Sequence, residues 1–338
     1  MNSGRPFLLT VSLVFCLSCS TDRWQTDTSS VRYDARFARL DKAIFNISPE
    51  GAYDSLQAIR SSFDPFTDTY LVEIVRVGEG ENPMTASLLL RFIQDPVWQE
   101  LQKIIESRHP DLHAEEAMLE NALRRYAVFF DTDSLPQLVA YNSGFNVGIY
   151  PSRETLGVGL EWYSGTDFDI IKQLPPDLFP QYKRDKMKPE YLAINALKGW
   201  LMFMYQDLSD GDDLLSRMIF SGKVHYLAQV LMENTDVQTL LNYTEEQVRW
   251  SEAQEYDIWK HFVENELIFT TNQVAIGKMM NDGPFTSGMP PESPGGLGNW
   301  VGYRMVESYM NKHPDATLPE LMRLNDNQRI LKSYKPGR

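Results

Sequence analysis

Cysteine and histidine are scarce in this sequence, and their scarcity limits its chemistry. The chain of 338 residues contains 2 cysteines and 5 histidines. The cysteines are Cys16 and Cys19, and Cys16 lies in a segment that has the layout of a cleaved signal peptide. Since only Cys19 then remains, the mature chain forms no internal disulfide. Acylation of Cys19 would also leave no thiol nucleophile.

Positive charge and long apolar runs are lacking as well. The formal net charge is −14 at pH 7, and no run of Lys and Arg with interleaved aromatic residues occurs. Phosphate binding needs a basic footprint, so nucleic acid is excluded as a partner. The apolar segment at residues 191–205 is too short, and carries too central a lysine, to span a bilayer.

The first 18 residues have the features of a signal peptide. Arg5 precedes an apolar run at residues 7–17, and Ser18 stands directly before Cys19. A small residue before a cysteine is typical of the cleavage site of bacterial lipoproteins, which predicts acylation of Cys19, for example with palmitate. Cys16 departs from that pattern, because an aliphatic residue is usual three positions before the cysteine. The alternative is an ordinary secretory signal in which Cys19 is incidental.

The remaining chain divides into a tether and a domain. Residues 19–30 are polar and predict a tether that gives reach between the lipid and the folded part. No internal repeat or linker interrupts residues 31–338, which predicts a single domain. The whole layout is therefore a signal peptide at 1–18, a tether at 19–30 and a domain that faces the periplasm from a membrane of the cell envelope.

Apolar spacing predicts an α+β fold that is mostly helical with a small β-sheet. The N-terminal third is helical, residues 135–162 contain the only convincing strands, and a long helix should run from the cap at Thr244 to Ile268. At the centre, residues 187–233 predict two packed helices. The first is apolar nearly all round except for Asn195 and Lys198.

A buried helix followed by a second one is where a zinc peptidase of the gluzincin class keeps its ligands. The first helix of such an enzyme carries His-Glu-x-x-His, and the second supplies a carboxylate. Here the first helix contains no histidine, and neither an amide nor an ammonium completes a zinc site. The sequence thus predicts a gluzincin-like helical core without the metal site, with no cofactor and no enzymatic activity.

Eight segments spread over nearly the whole mature length form a specific pattern through their order and spacing. They are RLDKAIF at 39–45, NSGFNVGI at 142–149, GVGLEWY at 157–163, MKPEY at 187–191, SGK at 221–223, YTEEQ at 243–247, IWKHFVENEL at 258–267 and GPFTSGMPPESPG at 283–295. Together they resemble the GldB family of gliding-motility lipoproteins. The resemblance implies a membrane-anchored component of gliding that is associated with the type IX secretion apparatus. It also implies a distant relationship to gluzincin peptidases that have lost their ligands.

Two groups of residues have the spacing of metal ligands. His109 and His113 lie near Glu115 and Glu116, but Pro110 should turn His109 away from the helical face of His113. Asp257, His261 and Glu264 share one helical face and could bind a metal with further ligands. We favour a solvated face for this set. Of the other histidines, His225 lies near Lys223, whose charge opposes a cation, and His313 precedes Pro314 in a helix-ending turn.

Other candidates for chemistry are weaker. Ser143 lies in a strand turn without a nucleophile-elbow motif. The glycines of segment 295–298 open a helix without the lysine of a phosphate loop, which favours a flexible connection. Glu161, Asp167 and Asp169 could include a carboxylate pair, but solvation at the surface is expected. Lys198 on its apolar helix should form a structural ion pair, with Glu161 or Glu190 as the partner, rather than act in catalysis.

These observations predict a lipoprotein that is anchored through Cys19 and acts as a non-enzymatic component of the gliding and type IX secretion machinery. Its partners are the membrane and other envelope proteins. One alternative is a metal-dependent peptidase that uses an unrecognised ligand set such as Asp257, His261 and Glu264. Another is an envelope module that binds a peptide or glycan.

Overall fold

A four-stranded sheet lies between two hydrophobic cores. The computed structural model describes residues 23–208, 211–233 and 235–337, so the predicted signal peptide and Cys19 lie outside the described residues. The strands are β1 (Phe37–Arg39), β2 (Gln137–Tyr141), β3 (Ile149–Pro151) and β4 (Thr155–Gly159), in the order β1-β2-β4-β3. β2 pairs in parallel with β1 and β4, and β3 runs antiparallel to β4.

Strand β2 separates the two cores through the alternation of its side chains. Leu138 and Ala140 point into the larger core, whereas Val139 and Tyr141 point into the smaller one. This follows from the two-residue period of a strand. The helices before β2 cover the sheet and are α1 (Leu40–Phe45), α2 (Ala52–Ser62), α3 (Phe66–Thr69), α4 (Pro83–Ile93), α5 (Pro96–Arg108) and α6 (His113–Phe130).

Local sequence explains where several of these helices begin. The side chains of Asn82 and Asp95 accept hydrogen bonds from the amides of Met84 and Val97, and a proline follows each cap at the first helical position. The Asn or Asp side chain accepts a hydrogen bond from an amide of the first helical turn that would otherwise lack a partner. Proline at the first helical position has no amide hydrogen that would need one. α3 continues directly into a π-helical turn at Tyr70–Ile74.

The second half of the chain is almost entirely helical. Its helices are α7 (Asp169–Gln173), α8 (Gln181–Arg184), α9 (Leu192–Tyr205), α10 (Leu214–Leu231), α11 (Val237–Leu241), α12 (Glu245–Ala253), α13 (Glu255–Glu264), α14 (Gln273–Met280), α15 (Leu297–Lys312), α16 (Leu318–Arg323) and α17 (Asn327–Ser333). The predicted α+β class, mostly helical with a small sheet, is confirmed. No helix in the described ranges is long and apolar enough to cross a membrane.

The predicted central helices α9 and α10 do pack together, but α10 packs more extensively against α15. The contact is closest at Gly222 of α10 and Gly302 of α15. A Cβ on Gly222 would collide with the main chain of Gly302, and a Cβ on Gly302 would collide with the main chain at Met218. Glycine at both positions lets the two helix backbones touch, so the centre is a layer of three helices rather than a pair.

The prediction of one long helix from Thr244 to Ile268 is wrong, because the structure has two shorter helices there. The capping box at Thr244 and Gln247 is present, but the helix breaks at Gln254 and the second part ends at Glu264. The break turns Glu255 inward, where its carboxylate accepts hydrogen bonds from Arg304 Nε at 3.3 Å and Tyr334 OH at 3.0 Å. A buried carboxylate with two distant partners therefore follows directly after the break. The predicted helical N-terminal third is wrong at Phe37–Arg39, which form strand β1. Strand β3, α14 and α17 were not predicted, because each is too short to show a clear periodic pattern.

Candidate functional site

Lys198 lies on α9, and its side chain reaches α11. The predicted ion pair with Glu161 or Glu190 is wrong. Lys198 Nζ donates a hydrogen bond to the backbone oxygen of Leu240, whereas Glu190 lies 3.8 Å from Lys188 Nζ. Burial lowers the pKa of Lys198 to about 7, and the positive charge of Lys186 adds to the shift. Burial therefore favours the neutral form of this amine.

His225 on α10 and Asn195 on α9 are further polar groups near this helix contact. His225 Nδ1 lies 2.7 Å from the backbone oxygen of Ser221, so this nitrogen carries the proton that it donates. Burial, followed by the charge of Lys198, lowers the pKa of His225 to about 3. Asn195 Oδ1 accepts a hydrogen bond of 3.0 Å from Asn242 Nδ2. The interior thus presents an amide, an amine and a neutral imidazole near this helix contact.

The histidine pair of segment 109–113 is separated as predicted. His109 ends α5 and is buried, with Nε2 3.1 Å from the backbone oxygen of Tyr163. Burial lowers its pKa to about 4. His113 begins α6 on the surface, with Nδ1 3.5 Å from Asp111. Proline at 110 therefore keeps the two imidazoles apart.

The second ligand set, Asp257, His261 and Glu264, is not assembled as a metal site. Asp257 and Glu264 are exposed, and Glu264 lies 3.7 Å from Lys260 Nζ. His261 Nδ1 is 3.2 Å from Asn265 Nδ2. Across residues 23–208, 211–233 and 235–337, no three side chains of His, Cys, Asp or Glu lie in an arrangement that could hold a metal ion.

The three carboxylates of segment 161–169 have different environments. Asp167 pairs with Arg108 at 2.5 Å and Asp169 with Lys172 at 2.9 Å, both at the surface. The predicted surface position is wrong for Glu161, which is 0% exposed. Burial raises its pKa to about 7. The carboxylates therefore do not form the pair that a glycosidase needs.

Glu161 holds the NSGFNVG loop between β2 and β3. Its Oε1 accepts hydrogen bonds from the hydroxyl of Ser143 and from the amides of Ser143 at 2.9 Å and Phe145 at 3.2 Å. Gly144 and Phe145 both have left-handed backbone angles, so the amides converge on one oxygen. Ser143 is 0% exposed. The hydroxyl of Ser143 therefore stabilises the loop and is closed to substrate. The burial of Glu161 could have been predicted from the apolar segment GVGL that directly precedes it.

The glycine-rich segment at 295–298 is tied down by hydrogen bonds, where a flexible connection had been expected. Thr286 Oγ1 donates to Pro294 O at 2.7 Å and accepts from the amide of Leu297 at 3.0 Å. The hydroxyl of Tyr243 donates to Gly295 O at 3.1 Å. The first amide of α15 already donates to Thr286, so the start of this helix stabilises the loop.

The N-terminal segment that the sequence assigned to the tether contacts the domain from Arg23 onwards. Arg23 Nη1 donates to the backbone oxygen of Met310 at 3.0 Å and to that of Pro314 at 3.2 Å, at the C-terminal end of α15. Trp24 Nε1 donates to Tyr226 OH at 3.2 Å, and Arg125 Nη2 donates to Trp24 O at 3.0 Å. A guanidinium at a helix C-terminus satisfies carbonyl groups and complements the helix dipole.

These features describe a mostly helical α+β protein whose N-terminal segment is fastened to its central helices. The sequence model of the gliding motility protein GldB matches residues 21–336. The chain therefore belongs to the GldB family of gliding-motility lipoproteins, as its motifs predicted. The searches of curated proteins and of solved structures returned no match.

Proposed function

We propose that this protein is a lipid-anchored component of the gliding and type IX secretion machinery, held at a membrane through Cys19, facing the periplasm and acting without catalysis. The observation that carries the proposal is the family match over residues 21–336, which begins two residues after the predicted acylation site at Cys19. A domain at 31–338 would then supply the surfaces for other envelope proteins.

The chemistry of the interior supports a role without catalysis. Lys198 on α9 donates to the backbone oxygen of Leu240 on α11, and His225 donates to the backbone oxygen of Ser221 one turn earlier in its own helix. Ser143 is closed to solvent, and its hydroxyl donates to Glu161. Lys198, His225 and Ser143 thus each have a structural partner.

The contacts of Arg23 and Trp24 limit how far the anchor could hold the domain from the bilayer. Only four Cα steps separate Cys19 from Arg23, which is about 14 Å of fully extended chain. Arg23 contacts the end of α15, and Trp24 contacts Tyr226 of α10. With a lipid on Cys19, the face that carries these contacts would lie next to the membrane.

The proposal is tested by replacing Cys19 in the cell that encodes the protein. In the strain with Cys19→Ala, we expect loss of the protein from the membrane fraction together with loss of gliding and of secretion through the type IX apparatus. Cys16→Leu is the matched control, because it removes the other cysteine and places the usual aliphatic residue three positions before the acylation site. Full membrane retention of Cys19→Ala would contradict the anchor, and normal gliding and secretion in a strain without the protein would contradict the role in both processes.

A further inference from the structure

A surface cavity of about 470 Å³ lies at the end of α15, directly beside the docked N-terminal segment. Its charged and aromatic lining consists of Tyr309, Lys312, His313, Asp315, Glu320 and Arg329. The backbone oxygens of His313 and Pro314, which border this cavity, are those that Arg23 Nη1 contacts at 3.5 Å and 3.2 Å. The cavity and the anchored segment therefore occupy the same end of the molecule.

One part of the lining is cationic. The guanidinium of Arg329 lies 5.7 Å from the ring centre of Tyr309, and within the described part of the chain its side chain makes no hydrogen bond or ion pair. Lys312 Nζ donates to the backbone oxygen of Ser333 and keeps two further donors. Two exposed cationic side chains with unused donors are suited to a phosphate group.

The other part of the lining is anionic. Glu320 Oε2 accepts hydrogen bonds from the amide and hydroxyl of Thr317, at 2.8 Å and 2.9 Å, as part of a capping box. Oε1 of the same carboxylate takes no part in that box, and Asp315 adds a second exposed carboxylate. Carboxylates accept hydrogen bonds from an ammonium group, so the cavity offers partners for both charges of a zwitterion.

We propose that this cavity binds the headgroup of an aminophospholipid, in which a phosphate diester is linked to a primary ammonium. The phosphate is bound by Arg329 and Lys312, and the ammonium by Glu320 and Asp315. The inference rests on the proposed anchoring through Cys19, because the short chain between Cys19 and Arg23 brings this end of the domain to the headgroup layer. The lipid would then fix the orientation of the domain at the bilayer, in addition to the covalent anchor.

The test is native mass spectrometry of the purified full-length lipoprotein in detergent, titrated with short-chain phosphatidylethanolamine, phosphatidylcholine or phosphatidylglycerol. We expect phosphatidylethanolamine to bind about tenfold more tightly than the other two, because neither of those has an ammonium N–H that can donate to Glu320 and Asp315. The double substitution Lys312→Gln with Arg329→Gln should weaken all three. Glu320→Gln with Asp315→Asn should remove only the preference, because glutamine keeps the capping box.

The matched control is Arg249→Gln with Lys260→Gln, which removes the same charge from exposed residues of α12 and α13. Equal binding of the three lipids by the unmodified protein, or unchanged binding after the Lys312 and Arg329 substitutions, would overturn the proposal. Competition by inorganic phosphate as strong as by the lipid headgroup would also overturn it, in favour of a general anion site. The intact mass in the same experiment reports the acyl chains on Cys19, so failure of the anchor is seen separately from failure of the headgroup site.

Discussion

Gly222 of α10 and Gly302 of α15 bring two helix backbones into direct contact in the middle of the protein. A side chain on either residue would meet the main chain of the other helix, which has no flexible end that could move aside. Helices α9 and α6 also pack against α10, which is buried on almost every side. Lys198 on α9 and His225 on α10 belong to the same packed layer of helices.

Gly222→Ala should therefore destabilise the protein strongly. The added methyl group must separate α10 from α15, and such overpacking costs about 3 kcal/mol. Chemical denaturation of the purified protein measures the loss. Gly277→Ala in α14 is the matched control, because its Cβ would meet only the side-chain amide of Asn281, at 3.1 Å, and alanine favours a helix. A Gly222→Ala protein as stable as the control would contradict the close contact.

Glu161 makes the stability of the fold dependent on pH below neutrality. Burial raises its folded pKa from 4.5 to about 7, so ionisation is harder in the folded state than in the unfolded state. Below pH 4.5 Glu161 is protonated in both states, so it does not change the free energy of unfolding with pH. Between pH 4.5 and about 7 the free energy of unfolding falls, and above that pH the loss is on the order of 3 kcal/mol. Glu161→Gln should remove this dependence, measured as the melting temperature between pH 4 and 8. A parallel pH profile for the two proteins would contradict the prediction.

Lys198 acts in the next pH interval and in the opposite direction. Its folded pKa is lowered from 10.5 to about 7, so protonation is disfavoured in the folded state. The free-energy cost of burying the protonated amine is present in full below about pH 7 and disappears as the pH rises to about 10.5. The free energy of unfolding should therefore increase over this interval. Lys198→Met should be more stable than the unmodified protein at pH 7 and lose that advantage at pH 10. Calorimetry at the two pH values measures both.

The same variant separates the structural from the enzymatic interpretation of the lysine. Without a catalytic role, cells that carry Lys198→Met should glide and secrete normally at equal protein abundance. A folded and abundant Lys198→Met protein that fails to support gliding would favour an enzymatic function.

The docking of the N-terminal segment has a measurable effect on the anchored protein. Arg23→Ala with Trp24→Ala removes the hydrogen bonds to Met310, Pro314 and Tyr226, and it should release the segment and lengthen the reach of the domain from the bilayer. Energy transfer between a dye on the domain and a lipid dye in proteoliposomes measures the distance. Arg32→Ala, at an exposed arginine of the same segment, should leave the distance unchanged. An equal distance for all three proteins would show that the docking does not limit the reach.

The sequence predicted the mostly helical class, the central helices, the cap at Thr244 and the separation of His109 from His113. These features follow from local rules: periodic apolar residues, side chains that satisfy the first amides of a helix, and the restriction that proline imposes on its neighbour. The family was recognisable because its motifs keep their order and spacing. The acylation of Cys19 remains a prediction from the layout of the first 19 residues.

The tertiary structure alone decided the partners of the buried polar groups. Glu161 was expected at the surface and Lys198 in an ion pair, but a carboxylate finds converging amides and a lysine finds a carbonyl only when distant segments pack together. The burial of Glu255 has the same origin, since its partners Arg304 and Tyr334 are far along the chain. Local sequence therefore determined which elements form, whereas long-range packing determined which charges are buried and what satisfies them.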